Sequence, residues 1–134
     1  MPGLDTNVLV RWLVDDDAPQ VARVQALFQA ARADGHLLFI PTTVALELEW
    51  VLRSRYRFDK SAILAAFNGL LESQEVEFQT EAAVEHALHL YRLGDAEFAD
   101  CLHAGSCSAE GRSPLLTFDR QAARLPGVER VAGR

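Results

Sequence analysis

The chain opens with Leu4-Asp5-Thr6-Asn7-Val8-Leu9-Val10, in which a short apolar start runs into an aspartate and then into a second apolar segment. Apolar periodicity predicts a strand over residues 2–5 and a helix over residues 6–14. Asp5 therefore lies at the carboxyl end of a predicted strand. A carboxylate between two packed segments needs a partner, because burying an unpaired charge is costly.

Short apolar strands and longer helices alternate along the rest of the chain. Further helices are predicted over residues 18–33, 42–56, 60–73, 81–93, 96–109 and 119–125, and further strands over 37–40, 76–78, 115–118 and 128–131. In this scheme threonines begin the third and fifth helices as caps, and Asp59 caps the fourth. Strands joined by helical crossovers predict an α/β fold with a parallel sheet that is covered on both faces. At 134 residues, we expect one domain spanning residues 1–134.

The composition and net charge of the chain limit the classes of function that it could have. The chain has a formal net charge of -6, which argues against binding nucleic acid through a broad basic surface. Twelve of its 13 basic residues are arginine, whose forked donors suit phosphate. No apolar run approaches the roughly 20 residues that span a bilayer, and no secretory signal is evident. We therefore expect a cytoplasmic protein without a membrane partner.

Four acidic residues lie at the end of apolar segments or interrupt them: Asp5, Glu47, Asp100 and Asp119. Asp119 ends a predicted strand, as Asp5 does. In open parallel sheets the ligand site lies beyond the carboxyl ends of the strands. We therefore predict that these acids share one rim, although a plain helix cap is the alternative for both aspartates.

The other two acids lie on predicted helices. Glu47 has Val44 and Val51 as its helical neighbours, so it is predicted to point to an apolar face, whereas Glu49 is predicted to face water. Asp100 follows Glu97 by about one turn, a spacing at which like charges repel and at which a shared cation is favourable.

Carboxylate oxygens are the hard ligands that Mg²⁺ and Mn²⁺ prefer. Two such ions about 3.5 to 4 Å apart can hold both the attacking water and the leaving oxygen of a phosphodiester. Three neighbouring polar residues, Thr6, Asn7 and Thr117, are candidates to orient the carboxylates, and ordinary helix capping is the alternative for each. Arg11 and Arg120 are candidate contacts for the phosphodiester substrate because they lie close in sequence to Asp5 and Asp119.

Four stretches carry these residues: Leu4-Asp5-Thr6-Asn7-Val8-Leu9-Val10-Arg11, Leu46-Glu47-Leu48-Glu49-Trp50-Val51-Leu52-Arg53, Glu97-Phe98-Ala99-Asp100 and Leu116-Thr117-Phe118-Asp119-Arg120. In order and spacing they resemble the PIN-domain ribonucleases, and most closely the VapC toxins of prokaryotic toxin-antitoxin pairs. The resemblance implies a three-layer α/β/α sandwich with a central parallel β-sheet, Mg²⁺- or Mn²⁺-dependent RNA hydrolysis and inhibition by a cognate antitoxin. It also implies that Asp5, Glu47, Asp100 and Asp119 are the catalytic, metal-binding acids, with Glu97 as an accessory.

Two other function classes remain open at this point. A receiver-like or phosphatase-like phosphoacceptor domain also places aspartates at strand ends, although the scarcity of lysine argues against a receiver. A non-catalytic partner-binding module would use Trp12, Trp50 and the nearby apolar helices only to hold another protein. A homodimer is a further arrangement that the sequence leaves open.

Overall fold

A computed structural model describes residues 2–131 of the chain. Its contacts divide the chain into two compact units, Met1–Gln79 and Thr80–Arg134. The expectation of a single domain over residues 1–134 stays a prediction.

The first unit contains four helices and two parallel strands. In chain order these are α1 (Thr6–Leu13), α2 (Ala18–Asp34), β1 (Leu38–Ile40), α3 (Thr42–Ser54), α4 (Lys60–Glu72) and β2 (Val76–Phe78). β1 and β2 pair in parallel with Leu38 opposite Val76. The strand predicted over residues 2–5 is reduced to a parallel bridge between Gly3 and Phe39.

The second unit contains α5 (Glu81–Leu93), α6 (Phe98–Ala109), β3 (Leu115–Thr117), a 3₁₀ turn (Ala122–Arg124) and β4 (Val128–Arg130). β3 and β4 also pair in parallel. The helices α5 and α6 approach closely at Gly105, where an added Cβ would come within 2.5 Å of the Ala83 carbonyl oxygen. Glycine is therefore needed at this helix crossing.

Aspartates begin three helices of the first unit, as their sequence positions indicate. Asp17 accepts a hydrogen bond from the Gln20 backbone N at 3.2 Å, and Asp59 accepts one from the Ala62 backbone N at 2.8 Å. These bonds satisfy amide groups that the first turn of a helix leaves without partners.

The prediction that threonine side chains cap α3 and α5 was wrong. Pro41 is the residue that precedes α3, and the backbone N of Thr42 donates to Gln79 Oε1 at 3.0 Å. A side chain distant in sequence thus does what a local threonine was expected to do. Thr80 does precede α5, but its side chain makes no capping hydrogen bond.

The remaining differences are at element ends. The sixth helix begins at Phe98 rather than at residue 96, and the helix predicted over 119–125 is only the 3₁₀ turn. Of the helices that the structure describes, none combines the length and hydropathy needed to cross a bilayer.

Candidate functional site

Asp5 begins α1. Its Oδ1 accepts a hydrogen bond from the Thr6 backbone N at 2.7 Å, so the capping role expected as the alternative is present. Its Oδ2 takes part in no hydrogen bond among residues 2–131. Because the cap uses one oxygen and fixes the carboxylate, the other oxygen is presented in a defined direction. Capping and ligand binding are therefore compatible at Asp5.

Glu47 is connected to α1 by Thr6. The hydroxyl of Thr6, which is only 5% exposed, donates a hydrogen bond to Glu47 Oε1. This contact joins α1 to α3 and holds the Glu47 carboxylate on the exposed side of α3.

Asp5 and Glu47 line one cavity of about 240 Å³. Its wall is formed by α1, α3 and the segment that follows α3: Asp5, Thr6, Asn7, Val10, Arg11, Glu47, Trp50, Val51, Arg55 and Tyr56. The structure thus brings four of the eight predicted site residues together within the first unit. Asn7 lies in the wall with an exposed side chain.

The placement of Glu49 was wrong. It is 3% exposed, and its Oε2 accepts a hydrogen bond from Arg53 Nε at 2.8 Å. Its face of α3 also carries the fully buried Ala45 and Leu52. The two valines that were used to place Glu47 toward a core are themselves only half-buried. Arg53, one turn after Glu49, makes this burial tolerable by compensating the charge.

Three aromatic or polar residues of the cavity wall were not among the predicted site residues: Trp50, Arg55 and Tyr56. The signal that could have found two of them is helical spacing, since residues three and eight positions after Glu47 fall on its side of a helix.

Arg11 also lines the cavity, but its guanidinium is engaged. It donates to Asp16 at 2.8 Å, to the Tyr56 hydroxyl at 3.1 Å and, through Nε, to Gln20 at 2.5 Å. The Tyr56 hydroxyl in turn donates to Asp16 at 3.1 Å. These contacts make Arg11 part of a fixed wall and weaken its candidacy as an RNA contact.

In the second unit, the charges of Asp119 and Glu97 act on Asp100. Asp100 is half-buried, and its pKa is raised first by burial, then by the negative charges of Asp119 and Glu97, while His103 opposes the shift. Like charges at short range disfavour the ionised form. A bound cation would remove this cost, since it favours the ionised carboxylates.

Asp119 follows β3 and is held by its own turn. Its Oδ1 accepts hydrogen bonds from the backbone N atoms of Gln121 at 2.8 Å and Ala122 at 3.0 Å. Thr117 Oγ1 accepts from the Asp119 backbone N at 3.0 Å. As at Asp5, the second carboxylate oxygen, Oδ2, makes no hydrogen bond within the described part of the chain. At both aspartates a neighbouring threonine takes part in the local hydrogen bonds.

The donor set fits a hard divalent cation in chemistry, since it consists of carboxylates that are exposed or half-buried. Between residues 2 and 131, no group of three or more His, Cys, Asp or Glu side chains forms a ready metal site. The sharing of metal ions by all four acids stays a prediction.

Comparison with known proteins identifies the fold family. The model of the PIN domain matches residues 4–128, which includes every predicted site residue. A VapC ribonuclease of Aquifex aeolicus (strain VF5) is 25% identical over 125 residues, covering 93% of this chain and 92% of that protein. The α/β fold class expected from the sequence is confirmed. The chain belongs to the PIN-domain family.

Proposed function

We propose that this protein is a metal-dependent endoribonuclease that acts as the toxin of a VapC-type toxin-antitoxin pair. The observation that carries the proposal is the convergence of Asp5 and Glu47, 42 residues apart in sequence, on one cavity. The family match and the VapC ribonuclease relative support it. Family membership disfavours the phosphoacceptor alternative.

In this proposal Asp5, Glu47, Asp100 and Asp119 hold two Mg²⁺ or Mn²⁺ ions. When bound, such ions neutralise phosphate charge and lower the pKa of water. The hydroxyl of Thr6 fixes the direction of the Glu47 carboxylate, and Thr117 stabilises the turn that carries Asp119. Glu97 adds negative charge near Asp100 and so strengthens cation binding.

The direct test is cleavage of total RNA by the purified, partner-free protein, with fragment ends sequenced. We expect internal cleavage with Mg²⁺ or Mn²⁺ and none in EDTA. Equal cleavage in EDTA would refute metal dependence. If neither Mg²⁺ nor Mn²⁺ supports cleavage, the non-catalytic partner-binding module is favoured.

An RNA-cleaving toxin requires an inhibitor in the cell that makes it. We propose a small antitoxin protein as that partner and the cytoplasm as the site of action, and we retain a homodimer as a prediction. Affinity purification from the native cell should recover a small protein that suppresses cleavage when added back. Recovery of the nuclease without any inhibitor would remove the toxin-antitoxin part of the proposal while leaving the nuclease part intact.

A further inference from the structure

The side of α3 that carries Glu47 continues into an aromatic and cationic surface. Trp50 is 51% exposed and lines the same cavity as Asp5 and Glu47. At about 1.5 Å rise per residue, Trp50 lies roughly 4.5 Å along the helix axis from Glu47. Packing does not require an indole ring to stay half exposed in a cavity that also contains two carboxylates.

Arg55 follows Trp50 in the same wall. Among residues 2–131, its guanidinium has no hydrogen bond or ion pair, in contrast to Arg11, which is held by Asp16, Gln20 and Tyr56. A fork of donors without a carboxylate partner is suited to bind a phosphate in bidentate fashion. The cavity thus combines an aromatic face with a free cation.

We propose that Trp50 and Arg55 form a binding site for an unpaired nucleotide of the substrate, with the base stacked on the indole ring and a neighbouring phosphate held by the guanidinium. This inference rests on the proposed ribonuclease function and assigns two residues of the cavity wall to the binding of one unpaired nucleotide. In a duplex the bases are stacked within the helix, so the indole ring has no free base to contact. Stacking tolerates any base, so the site binds a strand without choosing its sequence.

The chain provides a matched control for Trp50. The other tryptophan, Trp12, is 38% exposed and also lies in the first unit. However, Trp12 stacks on Phe28 with ring centroids 4.0 Å apart and lines a different cavity, which contains none of the candidate acids. A general effect of losing an exposed tryptophan would therefore appear at both positions, whereas a nucleotide site would affect only Trp50.

The experiment measures binding separately from cleavage. In Trp12→Phe, Trp50 is the remaining tryptophan of the two in the chain, so its fluorescence reports on that ring alone. A single-stranded oligoribonucleotide of mixed sequence is mixed with this protein in EDTA and in Mg²⁺, and emission is read before cleaved product accumulates. We expect quenching in at least one buffer, and little quenching by the same sequence as a perfect duplex or with Trp50→Phe.

Affinity for a labelled strand should fall about tenfold or more in Trp50→Ala, but not in Trp12→Ala. In Arg55→Gln the affinity for the strand should also fall, and its dependence on salt concentration should become shallower, as expected for the loss of one phosphate contact. Thermal melting establishes that each variant is folded.

Several results would overturn the inference. They are absence of quenching in both buffers, equal binding of duplex and single strand, or equal losses in Trp50→Ala and Trp12→Ala. Normal RNA binding by Trp50→Ala together with loss of a protein inhibitor would assign the surface to that partner instead. Cleavage without quenching would reject this site and keep the proposed function, whereas quenching without cleavage would reject the nuclease and keep the site.

Discussion

At the scale of single residues, Asp5 separates a structural role from a chemical one. Asparagine caps helices about as well as aspartate, so Asp5→Asn should retain the bond to the Thr6 backbone N. The substitution removes the negative charge that a cation needs. We expect RNA cleavage to fall by at least about a hundredfold, since metal stabilisation of transition-state charge is worth several kcal/mol. The matched control is Asp59→Asn, at the start of α4, which should cut at close to the wild-type rate; a similar loss there would make capping the explanation.

A second prediction at residue scale concerns Asp100. Its folded-state pKa is raised by burial and by Asp119 and Glu97, so the folded protein holds a proton more tightly than the unfolded chain does. The contribution of Asp100 to stability is therefore greatest below its ordinary pKa of 3.8 and falls as the pH rises through the raised value. In EDTA at neutral pH, Asp100→Asn should melt at the wild-type temperature or a few degrees higher, with the advantage gone in acid. A lower melting temperature at neutral pH would mean that Asp100 has a structural partner, and cleavage should be lost in either case.

At the scale of elements, the positions of the helices and strands along the chain were largely predictable, and the faces that the helices bury were not. Apolar spacing located α2 and α4 to within about one residue, and Asp59 caps α4 as expected. Apolar periodicity could not predict which face of α3 is buried, because apolar residues flank both Glu47 and Glu49 in the sequence. The deciding interactions are Arg53 beside Glu49 and Thr6 beside Glu47. The second of these joins residues 41 apart in sequence, which no local pattern reveals.

The junction between α2 and β2 yields a prediction at this scale. Glu75 is buried, and its pKa is lowered mainly by a hydrogen bond from the Ser73 hydroxyl, at 2.6 Å, and further by Arg32. The stability it contributes is therefore present at neutral pH and is lost as the pH falls through its folded-state pKa. Glu75→Gln should lower the urea midpoint at pH 7 and make little difference in acid. The control is Glu77→Gln, exposed on β2, and a loss at Glu75 that is independent of pH would indicate packing rather than charge.

At the scale of the whole molecule, the open question is whether carboxylates from both units bind the same ions. Asp5 and Asp100 belong to different units, so the sequence and the family resemblance alone carry this expectation. An ion that binds only the folded state stabilises it by mass action, by about 2.7 kcal/mol at a hundred times the dissociation constant. If the ions are shared, Mg²⁺ should raise the wild-type melting temperature, and Asp5→Asn or Asp100→Asn alone should remove most of that increase. The double variant should then lose little more, because the effects of residues that serve one site are not additive. If each acid acted alone, each single variant would lose part of the increase and the losses would sum. Calorimetric melts of the four proteins with and without Mg²⁺, with Ca²⁺-free buffer and Asp59→Asn as the control, distinguish the two outcomes.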